Sequence, residues 1–458
     1  MDLSLRKDLA FQRYQTTSGE MIAAYTLGEN RFTLVQDDAA ILLGRILAGE
    51  DRDELMNGIQ NKYGPNAKKE ASEFLDGALP LFFDSSEPNN YTRLQGRHGT
   101  EPDLNNAEED GFYGFCATEG IFTTSAWELS YACNLRCAHC YNPHHTVHDQ
   151  MDTGMWLDLL DQAREMGLLR LCLTGGEVGV YSGFWEILAK TRRLNLAVDV
   201  LTNGLVFADP YMAKNLAGLF PRSVQCSLYG ATAMTHETLT RVPGSWGKTI
   251  KCLENFADLG VPIVIKCPAM QANHHEIPEV VRIAEKLGAM LQVDVNITAR
   301  NDGDAGPTEM RLNEEQLSWL FTQPDLPLYQ GLERASRSGI QLRDPDDGVC
   351  GAGTNGLSVQ PNGTVIPCLA FGISLGDLRR QSLRDIWQGE PLSAWRGKKR
   401  KDCSDCVACE IQSHCSFCPG ISLIDTGHFL NKNPNDCRVA KVRAAVFEQL
   451  PANFSSNK

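Results

Sequence analysis

Between Tyr131 and Tyr141 the chain reads YACNLRCAHCY, and three cysteines (Cys133, Cys137 and Cys140) fall within eight residues in a C-x3-C-x2-C spacing. A loop that short can aim three thiolates at one point, and thiolates are soft ligands that select zinc, copper(I) or iron–sulfur clusters. A four-iron cluster takes four cysteines as a rule, so three leave one iron open to a substrate or cofactor. A three-cysteine zinc knuckle and a redox dithiol with a spare thiol are the competing readings of this stretch alone.

The rest of the chain narrows the choice. Sixteen cysteines are present, three in this loop and eight more between Cys350 and Cys437. In a cytosol that keeps thiols reduced, clusters of that kind read as metal ligands rather than disulfides. The other five (Cys116, Cys172, Cys226, Cys252, Cys267) are scattered, and three of them lie in apolar strand-like runs where a small buried hydrophobe is the default. The formal net charge of −14 argues against a nucleic-acid partner held through phosphates. No apolar run reaches the ~18 residues of a membrane span, and Met1–Lys7 lacks the apolar core of a signal peptide. The sequence therefore predicts a cytoplasmic protein with no membrane and no nucleic-acid partner. The one basic run, Arg396 to Lys401, reads as a solvated loop or as a neutralising neighbour of thiolate-bound clusters.

At 458 residues the chain has room for two to four domains. Residues 1–85 hold no cysteine. Met21–Leu27 and Arg31–Gln36 read as two strands about Gly28-Glu29-Asn30, and three helices follow, beginning near Asp37, Asp51 and Ala67. Two strands and three helices predict a small winged-helix domain. Residues 86–121, rich in polar residues, read as a mobile linker. From about Phe122 strands and helices alternate, the sign of a parallel sheet wrapped by helices. Strands are expected at 125–131, 169–173, 198–201, 223–228, 263–267 and 292–297. Six strands predict an α/β fold with a partial (β/α)6 TIM-like barrel over 122–310, a bridging region over 311–345, a cysteine-rich domain over 346–440 and a tail over 441–458. Each motif falls at a C-terminal strand end, where such folds carry their chemistry.

Those motifs are the three-cysteine loop, Thr174-Gly175-Gly176-Glu177, Thr202-Asn203-Gly204 and "QCSLYGAT" around Ser227. Gly175 and Gly176 remove side chains where a backbone must come close to a ligand, and Glu177 offers a carboxylate to an ammonium group. The set resembles the radical S-adenosylmethionine (radical SAM) signature. The resemblance implies that SAM chelates the open iron of a cluster on Cys133, Cys137 and Cys140, the catalytic centre. It places Gly175, Gly176 and Glu177 at the SAM amino group, Ser227 at its carboxylate and ribose, Arg241 at the carboxylate and Tyr141 beside the adenine, a core aromatic being the alternative for Tyr141. Tyr229 stands where the family usually has Asp. The implied chemistry is cleavage of SAM to methionine and a 5′-deoxyadenosyl radical that removes a hydrogen from an unactivated carbon.

"GLSVQPNGTVIPC" reads as a hairpin, and Cys403, Cys406, Cys409, Cys415, Cys418 and Cys437 follow it. Repeated C-x2-C pairs signal metal, with zinc ribbons as the alternative. The spacing resembles the SPASM extension, which houses two auxiliary 4Fe–4S clusters. By that resemblance Cys406, Cys409, Cys415 and Cys437 ligate one cluster, and Cys350, Cys368 and Cys418 the other. Cys403 is a fourth ligand of the latter or a bystander, which leaves an open iron. The total is three 4Fe–4S clusters plus SAM.

The stretch "AILLGRILAGEDRDELMNGIQNKYG", with the following "FLDGALPLFF", is similar to the peptide chaperone of pyrroloquinoline-quinone biosynthesis, the RiPP recognition element. There an extended leader peptide adds a strand to the edge of the small sheet. A structural appendage or a DNA-binding wing are the alternatives. Together the resemblances imply a radical SAM/SPASM maturase that modifies a precursor peptide with a leader segment. It would draw electrons from a flavodoxin- or ferredoxin-type donor and form a thioether, or second a carbon–carbon, cross-link. The rivals are a sulfatase-maturing enzyme or peptide epimerase, and a non-catalytic iron–sulfur carrier.

Overall fold

The computed structural model describes residues 4–83, 107–142, 149–338 and 344–450. The N-terminal unit begins with an antiparallel sheet of β1 (Leu9–Thr16), β2 (Gly19–Thr26) and β3 (Arg31–Gln36), in that order. Three helices follow: α1 (Asp37–Leu47), α2 (Arg52–Tyr63) and α3 (Pro65–Phe82). Asp51 starts α2 by accepting from the Asp53 and Glu54 backbone N–H groups, the ordinary chemistry of a helix N-cap. Leu9, Ile22, Leu43, Ile46, Leu55, Leu75 and Phe82 form the core of this unit.

Strand β1 is an addition to the two strands expected. Its polar residues hid it: Arg13 pairs with Glu20 on the neighbouring strand, and Gln12 bonds the carbonyl of Arg164 in the barrel. The linker expected over 86–121 is also different in its described part. Residues 84–106 lie outside the described residues, but Ala107–Glu119 is a helix, α4, which buries Glu109, Phe112 and Cys116.

The second sheet has nine strands in the order β12-β11-β10-β4-β5-β6-β7-β8-β9. Its parallel heart is β4 (Thr124–Glu128), β5 (Arg170–Thr174), β6 (Ala197–Thr202), β7 (Ser223–Ser227), β8 (Ile263–Pro268) and β9 (Met290–Asp294). These are the six barrel strands expected. Helices α5 (Thr153–Met166), α6 (Phe184–Arg193), α7 (Pro210–Ala217), α8 (Ala233–Thr240), α9 (Ser245–Asp258) and α10 (Ile277–Leu287) alternate with them. Leu171, Leu173, Val198, Val200, Val224, Ile263 and Ile265 pack outward on that helical layer with Trp156, Phe184, Phe207 and Phe256. Fully burying each such side chain contributes about 1.5–3 kcal/mol.

The cysteine-rich region joins this sheet. Strand β10 (Gly356–Val359) pairs in parallel with β4, and β11 (Thr364–Ile366) and β12 (Gly376–Asp377) continue it antiparallel. Gly356 makes the junction possible, because a Cβ there would sit 2.4 Å from the carbonyl oxygen of Thr124. The predicted hairpin is therefore present, and it extends the barrel sheet rather than standing apart. The expected tail over 441–458 begins within helix Pro434–Gln449, which buries Val442 and Val446. Among the described residues no helix is long and apolar enough to cross a membrane.

The N-terminal unit is seated on the N-terminal ends of the barrel strands. Phe11 N–H donates to the carbonyl of Asn195 at 3.0 Å, and Arg192 and Arg164 donate to the carbonyls of Leu9 and Phe11, each at 2.7 Å. Beneath lies a buried ionic group. Asp199 takes Arg170 at 2.6 Å and Arg222 at 3.0 Å, and Arg222 also meets Glu109 of α4 at 3.0 Å. Tyr25 of β2 donates to Glu109 at 2.6 Å. One network thus joins the small sheet, α4 and three barrel strands.

Candidate active site

The three-cysteine loop leaves the end of β4 and is held from two sides. Arg136 N–H and Ala138 N–H donate to the carbonyls of Thr240 and Leu239, at the end of α8, at 3.1 and 2.9 Å. Gly176 N–H and Glu177 N–H donate to the carbonyls of Ser130 and Ala132 at 2.7 and 2.9 Å. A Cβ on Gly175 would lie 2.4 Å from the Ser130 oxygen, and one on Gly176 2.3 Å from the Ala132 oxygen. The close approach that these glycines serve is thus to the cysteine loop itself.

Glu177 is 2% exposed. Its carboxylate accepts from Thr202 Oγ1 at 2.6 Å, Asn203 N–H at 2.7 Å and Gly179 N–H at 3.1 Å. Burial pushes its pKa up, and those three donors oppose the shift. The side chain expected at an ammonium group therefore also ties the end of β5 to the turn after β6. From that turn Asn203 donates to Asn134 Oδ1 at 2.7 Å and reaches Cys133 Sγ at 3.7 Å.

The thiols of Cys133, Cys137 and Cys140 are partly buried. Burial raises all three pKa values, that of Cys137 to about 12, with the other two cysteines adding to the rise at Cys137. As free side chains they are protonated at neutral pH, so a metal must displace their protons to bind. Among the described residues no three His, Cys, Asp or Glu side chains are gathered to hold a single metal ion. The donor chemistry nonetheless fits a thiolate-ligated cluster, because one short loop supplies three soft ligands, Cys137 sensing the other two, with a nearby amide donor and the buried guanidinium of Arg300, which lowers the pKa of Cys140. Three buried polar atoms near the loop have no hydrogen-bond partner among the described residues: His139 Nδ1, Asn142 Oδ1 and His236 Nε2.

Tyr229 fills the place of the family's usual acid. Its hydroxyl lies near enough to Cys137 and to Ser227 to act on the titration of the site. His139 meets its ring edge-on at 4.4 Å and His236 stacks on it at 5.5 Å. Burial holds both imidazoles neutral, each with its pKa lowered to about 4. Tyr141 turns its hydroxyl to Glu128 Oε1 at 3.0 Å, and Tyr131 meets Glu128 Oε2 at 3.2 Å. Tyr141 is half-buried, its hydroxyl engaged with Glu128. Glu128, at the end of β4, is buried, and its pKa is raised to about 7. Arg241 stands exposed at the C-cap of α8 with φ +58°.

The second cysteine set divides electrostatically into two groups. Cys368 senses Cys418 and Cys350. Cys406 senses Cys403, Cys437 and Cys409, and Cys415 senses Cys437 and Cys406. Buried Cys403 thus neighbours Cys406. The basic run faces acids: Lys401 pairs with Asp346, Arg400 N–H donates to the Asp347 carbonyl, and Arg396 lies 4.0 Å over Trp387.

Sequence reasoning named Asn203 only as part of a strand-end motif and missed Glu128 and His236 as parts of the site. An acid inside the apolar strand ending "SAWELS" was the available signal for Glu128. Nothing local marked His236.

Residues 127–284 match the Radical SAM superfamily, and residues 350–410 match the iron–sulfur cluster-binding domain SPASM. The chain is 24% identical over 330 residues to AdoMet-dependent heme synthase of Methanosarcina barkeri, covering 68% of this chain and 94% of that one. It is 24% identical over 354 residues to PqqA peptide cyclase of Methylocella silvestris, covering 71% and 91%. In fold it is similar to Streptococcus suis SuiB bound to precursor peptide SuiA, with TM-score 0.60 and 17% identity over 95% of this chain and 99% of that one. The chain carries a radical SAM domain followed by a SPASM iron–sulfur cluster-binding domain, and it is an enzyme of the radical SAM type.

Proposed function

We propose that this enzyme modifies a ribosomally made precursor peptide, joining a peptide Cys to a carbon by a thioether, with carbon–carbon cross-linking as the second choice. The observation that carries the reading is the extent of the fold. Its likeness to a radical SAM protein bound to a precursor peptide includes the N-terminal unit, whereas the heme synthase similarity covers 68% of the chain. Cys133, Cys137 and Cys140 would hold the SAM-binding cluster. Cys406, Cys409, Cys415 and Cys437 would hold one auxiliary cluster, and Cys350, Cys368 and Cys418 the other. The position of Cys403 beside Cys406 favours a bystander role. With SAM bound, the first cluster supplies a 5′-deoxyadenosyl radical able to take hydrogen from an unactivated carbon. Gly175, Gly176, Glu177, Ser227 and Arg241 are the candidates for orienting SAM. A flavodoxin- or ferredoxin-type donor in the cytoplasm would supply electrons.

The leader peptide would add a strand to the small sheet. The edge of β1 is occupied by the barrel, so β3 is the edge that remains, with Glu108 reaching Leu34 N–H there at 3.2 Å. The test is anaerobic reconstitution followed by incubation with a candidate Cys-containing precursor peptide. About twelve irons per chain are expected, with cleavage of SAM and a peptide lighter by two hydrogen atoms. A zinc-only protein, or one that never cleaves SAM, would end the proposal.

A further inference from the structure

The free edge of the small sheet is already held at one point. Leu34 N–H, in the middle of β3, turns away from β2 and donates to Glu108 Oε1 at 3.2 Å. The alternation of an antiparallel pair then turns the N–H and C=O groups of Phe32 and Gln36 the same way. Glu108 stands exposed in the first turn of α4. The next residue, Glu109, is buried and fixed by Arg222 at 3.0 Å and by the Tyr25 hydroxyl at 2.6 Å. One turn on, the buried ring of Phe112 packs on that of Phe32 at 5.6 Å. Helix α4 is thus anchored both to the barrel and to one face of the small sheet, and it carries the Glu108 carboxylate to the edge. An open strand edge is a template for any extended chain, and a carboxylate on its central N–H blunts it. The β1 edge is closed more firmly, by the Asn195 carbonyl and by Arg192 and Arg164.

We propose that Glu108 is a latch on the docking edge: a leader strand adds to β3 only by taking the Leu34 N–H from the Glu108 carboxylate. This rests on the proposed function, under which the leader pairs with β3. A backbone carbonyl of the added strand and the Glu108 carboxylate need the same N–H, so one excludes the other. The chain therefore carries its own competitor, which lowers the apparent affinity for the leader by the fraction of molecules whose edge is closed. A peptide that brings a run of main-chain hydrogen bonds overcomes that competition, and a chance contact at one N–H does not.

The anaerobically reconstituted full chain carries the test, as wild type, Glu108→Ala, Glu108→Gln and Asp110→Ala. The last removes the same charge from an exposed position two residues on. Hydrogen–deuterium exchange of the β3 amides is followed with and without a candidate Cys-containing precursor peptide, and binding of the fluorescein-labelled peptide is read by anisotropy. Glu108→Ala should speed β3 exchange in the free protein and tighten peptide binding about two- to tenfold, the span of one hydrogen bond. Glu108→Gln keeps an acceptor and should fall between, and Asp110→Ala should match wild type. Equal gains in Glu108→Ala and Asp110→Ala would be a general charge effect and would overturn the latch. Unchanged exchange and affinity in Glu108→Ala would overturn it too. In both cases a peptide that still slows β3 exchange leaves the proposed docking standing. A peptide that leaves β3 exchange untouched in all four proteins removes the docking edge and the latch together.

Discussion

The two ends of the parallel sheet are built on opposite principles. At the N-terminal strand ends each buried charge is answered: Asp199 lies between two arginines, Arg222 continues to Glu109, and Tyr25 closes the chain. At the C-terminal ends, polar atoms of His139, Asn142 and His236 are buried without partners among the described residues, and Glu128 is buried against two tyrosines. A satisfied network fixes one arrangement and offers nothing to a ligand. An unsatisfied one is costly in the free protein and is tolerated where binding completes it. The same chain thus devotes one face of its barrel to holding an extra domain and the other to chemistry.

That contrast can be broken most sharply at the cysteine loop. Replacing Cys133, Cys137 and Cys140 together by Ala should abolish SAM cleavage and remove about one third of the iron, while the thermal midpoint of the apo protein stays close to that of wild type. A collapse of the apo fold would show that the loop is structural.

At the opposite end Asp199→Ala should do the reverse. It leaves two buried guanidinium groups facing each other, a loss of about 3–5 kcal/mol for breaking a buried pair, read from denaturant unfolding. Cluster content in whatever remains folded should be normal. Deleting residues 1–85 should be comparably damaging, because Leu169 and Ala197 of the barrel share a core with Ala10, Tyr14 and Met21. Substitutions along β3 are therefore the cleaner probe of peptide docking.

Glu177→Ala should cost about 1.5–3 kcal/mol, the range for hydrogen bonds to a charged group, and weaken SAM binding as well. Retained SAM affinity with lowered stability would assign Glu177 to the turn it braces.

The pH dependence separates the two ends again. The folded pKa of Glu128 lies near 7, above its ordinary 4.5. The folded state then holds the proton more tightly, so its contribution is full below about 4.5 and is lost as pH rises through about 7, by ~1–3 kcal/mol. Glu128→Gln should flatten that slope in unfolding curves collected between those limits. Asp199 is shifted the other way, because burial raises its pKa but Arg170 and Arg222 lower it by more, so its stabilisation is present at neutral pH and is lost only in acid. The smallest effect is expected at Asn203→Ala, about 1 kcal/mol for the lost hydrogen bonds. A change in the spectrum of the loop-bound cluster should report the missing contact to Cys133.

The six barrel strands and the motifs at their ends were legible because a parallel strand buried on both faces leaves a continuous apolar run, and the glycine and cysteine punctuation after it is local. The spacing of Cys133, Cys137 and Cys140 is local for the same reason, and so is the Asp51 cap. Strand β1 was not legible, because its outer edge bonds partners more than 150 residues away, as with Phe11 and Asn195. Helix α4 has little amphipathic signal of its own, since it is clamped between two domains by Phe112 and Glu109.

The sequence by itself determined the barrel, the cysteine ligand types and the placing of the chemistry at strand ends, since each depends on neighbours a few residues apart. Only the tertiary structure decided that the cysteine-rich hairpin continues the barrel sheet through β10. It alone turned Glu177 toward Thr202 and Asn203 and set Tyr229 near Cys137 and Ser227. Those relations join residues far apart in the chain, and they exist only once the sheet has curled and brought non-adjacent strands to face each other.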